Sequence, residues 1–199
     1  MVQGISSHYS RLDVLLNNAG TYEKRYRLTD DRVEMTFAVN YPGPFLLTSL
    51  LLPLLKARAS SRIVTVASTA HEDVSQIDWE SLPAMRRYDR EACALAKFAD
   101  ICFTYTLARK LDGTGVSANC LHPGVIGTKI LHPAFPGMQG TAPEEGAKTP
   151  VYLASSPRIE GISGKYFEGT KPVRYSVLTR DRTVQERLWN LARDLTGAG

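Results

Sequence analysis

The chain has 199 residues, 43% hydrophobic and 22% charged, enough to bury a substantial core and to read as one domain over 1–199. Its 24 Lys and Arg are interspersed with 20 Asp and Glu, giving a net charge of +4 without the run of like charge that marks a nucleic-acid surface. Three cysteines, Cys93, Cys102 and Cys120, are an odd number without metal-ligand spacing, which argues against a disulfide scaffold or a metal centre and suits a reducing, cytoplasmic compartment.

In chain order, MVQGISSHYSRLD lacks the pattern of a signal peptide, and Leu12 to Leu16 reads as a buried strand entering a tight loop at Asn17-Asn18-Ala19-Gly20. Arg32 to Arg58 has helical spacing at Val33, Phe37, Leu47, Leu50, Leu51, Leu54 and Leu55, with a break at Tyr41-Pro42-Gly43-Pro44 just after Asn40. The longest apolar run, Phe45 to Leu55, is interrupted by Thr48, Ser49 and Pro53, so no membrane span is expected. Ser61 to Ala67 has the β-branched density of a central parallel strand, with Ser68 and His71 at its carboxyl end. A polar excursion around Trp79 leads to Glu91–Leu111, where Ala94, Phe98, Ile101, Thr104 and Leu107 recur at helical intervals. Cys93 and Lys97 lie one turn apart on one face of that helix.

Val116 to Leu121 reads as the next strand and runs into the turn His122-Pro123-Gly124-Val125-Ile126-Gly127-Thr128. Leu131 to Ala142 has the look of a loop that closes over a site. A helix starts after Thr141 with Glu144 and Glu145 in its first turn, Gly161 to Phe167 holds a last strand, and Arg187 to Leu191 belongs to a terminal helix. The alternation of strands and helices makes an α/β fold with a parallel sheet, and ligands of such sheets bind outside the carboxyl ends of the strands.

Taken on their own, Asn17 to Gly20 reads as a strand-to-turn junction, Asn40 as satisfying loose backbone groups beside a broken helix, and Ser68 as a cap or turn residue. His71 has no companion at metal spacing.

Together, LDVLL followed by NNAG, Ser68 after SRIVTVA, Lys97 on a long helix, the Pro-Gly turn with Thr128, and the later YLA, SGKYF and LW resemble the short-chain dehydrogenase/reductase family. The likeness is to its retinol dehydrogenase-like and WW-domain oxidoreductase-like branch. The resemblance implies the C-terminal part of a partial Rossmann-type doubly wound parallel sheet, family strands four to seven, and an NADP- or NAD-dependent oxidoreductase acting on the alcohol or carbonyl of a lipophilic substrate. It implies cofactor support from Asn18, Ala19 and Gly20, a water held by Asn40, and a substrate carbonyl held by Ser68. It also places the nicotinamide ribose on Lys97 and the nicotinamide against Pro123, Gly124 and Thr128.

Two departures stand against full activity. The family places a tyrosine four residues before the lysine, because a phenol with a pKa near about 10 takes a proton at neutral pH only beside a fixed cation. Cys93 occupies that position; none of the nine tyrosines has Lys four residues on, the nearest imitation being Tyr105 with Arg109, and Tyr88 is out of phase with Lys97. Lys97 is expected to lower the Cys93 pKa, which leaves acid-base exchange conceivable, but the thiol is too short to reach a substrate hydroxyl; an inert or redox-sensing cysteine are the other readings. The second departure is that none of the 15 glycines falls in the family's Thr-Gly-x-x-x-Gly-x-Gly pyrophosphate loop. Cofactor binding is therefore expected to be weakened or lost, and the alternative is a non-catalytic relative or truncated product acting as an interaction module. An exposed sheet edge open to self-association is expected with it.

Overall fold

A computed structural model describes residues 2–57, 60–85, 90–174 and 176–198. Helix α1 (Val2–His8) leads to β1 (Val14–Asn17), then come α2 (Met35–Asn40), α3 (Pro42–Lys56), β2 (Ser61–Val66) and a 3-10 turn at Thr69–Asp73. Helix α4 (Arg90–Lys110) precedes β3 (Val116–His122), followed by the short α5 (Leu131–Ala134) and α6 (Pro143–Ser155). Strands β4 (Tyr166–Glu168) and β5 (Lys171–Val173), a 3-10 turn at Val177–Arg180 and helix α7 (Arg182–Thr196) complete the order.

The sheet runs β1-β2-β3-β4-β5, parallel from β1 to β4, with β5 returning antiparallel to β4. The hairpin strand β5 was not foreseen: it is three residues long, carries Pro172, and its burial pattern gives no alternation to read. Helices flank both faces. Residues of α2, α3, α4 and α7 pack over one face with Leu15, Ile63 and Ala118 of the strands, while Leu153 of α6 meets Val64, Leu121 and Phe167 on the other.

Glu91 lies in the first turn of α4 and Arg109 and Lys110 in its last, each complementing the helix dipole. Its middle is buried on nearly all sides, from Ala92 to Leu107, because the sheet, α2 and α7 all lie against it. Phe45 of α3, Phe103 of α4 and Trp189 of α7 form one aromatic contact, with centroids 5.5 Å apart for Phe45–Phe103 and 4.9 Å for Phe45–Trp189. Asp181 caps α7 by accepting from the amides of Thr183 and Val184.

The proline-bearing break falls where the sequence places it: α2 ends at Asn40, and Pro42 opens α3, where its missing amide costs nothing. The expectation that no segment is long enough for a membrane needs correction, since Met35–Lys56 taken as one stretch of 22 residues meets the length and composition required. Counting across the break at Tyr41 is what lengthens it, and Phe37, Phe45, Leu51 and Leu55 of that stretch lie in the core.

Candidate active site at the carboxyl ends of the strands

Parallel register brings three strand ends side by side: Asn17 pairs with Thr65, Thr65 with Cys120, and Val66 with Leu121. The loops that follow form one rim, made of Asn18-Ala19-Gly20, of Ser68 with its 3-10 turn, and of His122 to Thr128. Asn18, Ala19, Gly20, Gly124 and Thr128 are exposed and Pro123 is half-buried.

Asn40 is buried and holds the first loop in place. Its Oδ1 accepts from the Thr21 amide at 2.8 Å and its Nδ2 donates to the Thr21 carbonyl at 2.9 Å. Of the two roles open to it in sequence, the backbone-holding one is visible. A β-carbon on Gly20 would stand 3.1 Å from Asn40 Oδ1, so the glycine permits the close approach.

Lys97 Nζ donates to the carbonyl of Val66, the last residue of β2, at 2.7 Å and to Asp100 Oδ2 at 3.0 Å. An ammonium has three donors, so one remains for a ligand. Asp100 was missed in the sequence, although its i, i+3 spacing from Lys97 was the signal that could have found it. Its side chain is only 1% exposed, against 16% for Lys97. Burial pushes the Asp100 carboxyl up to about 6, with Lys97 pulling the other way by charge and hydrogen bond. Asp100 Oδ1 has no hydrogen-bond partner. Neither has the hydroxyl of Tyr41, which burial, with Cys102 and Asp100 nearby, pushes well above the ordinary phenol range.

Cys93 is half-buried, and its thiol is pushed up, not down. Burial is the largest cause; Lys97 and Arg90 lower it, and Asp100 and Glu34 raise it. Lys97 does pull the thiol down as expected, but desolvation outweighs the neighbouring cation and the net shift is upward. Glu34 is a second residue that sequence reasoning missed. It is fully buried, caps α2 by accepting from the Phe37 amide at 2.8 Å, and leaves Oε1 without a partner.

Ser68 caps the 3-10 turn, its Oγ accepting from the Ala70 amide at 3.1 Å, so its own O–H proton stays free to donate outward. Capping and substrate contact are thus compatible. The buried His71 donates from Nδ1 to the Ser68 carbonyl at 2.6 Å, because a carbonyl can only accept, and its ring meets Tyr166 edge-on at 5.2 Å. His71 positions the strand end, and no group of residues suited to a metal occurs among the described residues. His122 Nδ1 accepts from the Thr69 amide at 3.4 Å, and burial lowers the pKa of its ring.

The Pro-Gly turn is braced from behind. Gly127 donates to the Thr141 carbonyl and Thr141 to the Val125 carbonyl, both at 2.8 Å, and a β-carbon on Gly140 would strike the backbone of Gly127 and Ile126. Arg90 donates to Asp73 Oδ2 at 3.1 Å and lies over the Phe135 ring at 5.0 Å, so the loop after β3 closes toward the start of α4, where Cys93 sits. Tyr88, weighed above as a substitute phenol, lies outside the described residues.

These residues fit the nicotinamide–ribose end of a dinucleotide: one uncommitted N–H on Lys97, an exposed Thr128 hydroxyl, and a glycine-lined rim at strand ends. A sequence model of the family described as short chain dehydrogenase matches residues 1–139. Human retinol dehydrogenase 14 is 41% identical over 200 residues, covering 94% of this chain and 59% of its own length. Mouse retinol dehydrogenase 13 is 40% identical over 203 residues, covering 94% of this chain and 60% of its own length. The chain thus spans about three-fifths of the length of these curated relatives. A structure of an uncharacterised protein from Mycobacterium paratuberculosis superposes with a TM-score of 0.78 and 32% identity, covering 99% of this chain and 71% of that one. NADPH-bound carbonyl reductase from chicken fatty liver shares the fold, with a TM-score of 0.67 and 20% identity, over 87% of this chain and 71% of that one.

Proposed function

This chain belongs to the short-chain dehydrogenase family, on its retinol dehydrogenase-like side, and from that premise we propose that it carries the substrate and nicotinamide-ribose side of an oxidoreductase site with impaired proton transfer. The substrate class is the alcohol or carbonyl of a lipophilic molecule, and the cofactor is NADP or NAD. The observation that carries the reading is the bond from Lys97 Nζ to the Val66 carbonyl, which fixes the ammonium at the strand end two residues before Ser68.

The dinucleotide would supply or accept the hydride. Ser68 would donate a hydrogen bond from its hydroxyl to the substrate oxygen, and Lys97 would offer its remaining N–H to the ribose hydroxyls. Thr128 and the braced turn at Pro123 and Gly124 set the face of the nicotinamide. What this arrangement lacks is a group at position 93 that can both reach the substrate oxygen and exchange a proton: the Cys93 thiol is short, half-buried and held protonated.

Isothermal titration with NADPH and with NADH tests the reading. Because the sequence lacks the family's glycine loop, a weak but saturable heat with either nucleotide, lost in Lys97→Ala, is the expected result; no saturable heat with either would overturn it.

A second reading is favoured by a specific observation. Among the described residues β1 pairs with β2 alone, and its Leu16 is 41% exposed on the sheet edge. Under this reading the chain is a non-catalytic relative that self-associates through β1.

A further inference from the structure

A groove near the carboxyl end of α4 shares no lining residue with the candidate active site. It has a volume of about 740 Å³, within the range of small-molecule sites, and opens between the end of α4, the start of β4, the end of β5 and the start of α7. Arg109, on its wall, is twelve residues beyond Lys97 on the same helix, a separation of about 18 Å along it at about 1.5 Å per residue.

Its lining is strongly one-sided in charge. Arg109, Lys165, Arg174, Arg180 and Arg182 stand around it against a single carboxylate, Asp112. Arg109 is committed, to Gln185 Oε1 at 2.6 Å and Glu186 Oε1 at 3.3 Å. Among the described residues the other four cations make no ion pair, although the surface elsewhere pairs readily, as in Lys148 with Glu145. Four unpaired cations converging on one concavity repel one another, and an anion placed among them relieves that repulsion. Three of the four are arginines, whose planar forks match phosphate oxygens two at a time.

The floor adds neutral donors. Tyr105 is half-buried there, and Arg174 and Arg180 are both near enough to act on its phenol, which burial nonetheless keeps protonated and able to donate. The amino terminus of α7 is not the holder, because Asp181 already takes the amides of Thr183 and Val184.

We propose that this groove binds a phosphorylated ligand carrying at least two phosphate groups, held by Arg174, Arg180, Arg182 and Lys165. The chemistry is common to a soluble diphosphate and to a phosphoinositide headgroup. It is independent of the oxidoreductase reading and uses none of the residues assigned to it.

Calorimetric titration with inorganic pyrophosphate, and sedimentation with phosphatidylcholine vesicles containing or lacking a bisphosphorylated phosphoinositide, test it on the full chain. Both arginines are exposed and unpaired, so the double variant Arg174→Gln/Arg180→Gln keeps the fold, checked by its thermal melting. The expected result is saturable binding of pyrophosphate or of the phosphoinositide vesicles, weakened about tenfold or more in that variant. Lys24→Gln/Arg25→Gln, which removes the same charge from an exposed loop, leaves it unchanged. Binding of pyrophosphate alone identifies a soluble ligand, and preference for the vesicles a headgroup; either upholds the site. No saturable binding of either probe, or equal weakening in Lys24→Gln/Arg25→Gln, overturns it.

Discussion

The two ends of α4 handle charge in opposite ways. At the amino-terminal end Lys97 is 16% exposed and both of its observed bonds go to fixed acceptors, one of them a carboxylate with 1% exposure. At the carboxyl-terminal end Lys165, Arg174, Arg180 and Arg182 are exposed around an open groove and, among the described residues, make no ion pair. The difference follows from solvent. An interior charge without a partner costs several kcal/mol, so the buried end must be paired to exist at all, whereas water tolerates the unpaired arginines at the other end. A paired charge positions; an unpaired one is available.

That contrast can be broken first at Cys93. Replacing Cys93→Tyr puts a phenol beside the fixed ammonium, and NAD(P)H-dependent carbonyl reduction should rise by about a hundredfold or more, the usual worth of a positioned acid-base group. An unchanged rate would mean that the amino-terminal end of α4 is not a catalytic site waiting for its acid. Next in size is Lys97→Ala, which strands Asp100 in the interior. It should destabilise the fold by roughly 3 kcal/mol at pH 8 and by less at pH 5, where Asp100 can be neutral, as followed by urea unfolding.

Asp100→Asn sharpens the same point. With a folded pKa raised from 3.8 to about 6, the neutral acid contributes stability that is fully present below about pH 4 and lost as the pH rises through 6. Unfolding free energies should therefore fall between pH 4 and pH 6 in the wild type, and this slope should be flattened in Asp100→Asn, which removes the ionisable group while still accepting from Lys97. A slope that survives would place the titration elsewhere. The smallest effect on stability is expected from Leu16→Lys, within about 0.5 kcal/mol because the side chain is largely exposed. It should nevertheless abolish concentration-dependent association in sedimentation velocity if β1 is the contact, and identical profiles for wild type and variant would remove the edge from consideration.

Much of the fold was legible because it is written locally. The three- and four-residue spacing of α4, the β-branched run of β2 and the prolines after Asn40 each point to the element that forms. The rim was legible too, since loops after parallel strands must lie together once the strands pair. The rest depends on residues that meet only in the fold. Glu34 affects Cys93 across a gap of 59 positions, and burial, which no spacing reveals, sets the sign of the thiol's shift. The groove was hidden for the same reason: its cations come from two helices, a 3-10 turn and the loops beside β4 and β5, so in the sequence they look evenly mixed with acids.

Helix α7 has an optical consequence. The chain contains only two indoles. Trp189 belongs to α7, stacking on Phe103 at 5.8 Å with Lys110 at 4.9 Å over its ring, and Trp79 is covered by Arg187 of the same helix at 4.1 Å. Every tryptophan photon therefore reports on whether this one helix is docked, and a shift in emission that precedes loss of sheet signal would time its departure from the body of the protein.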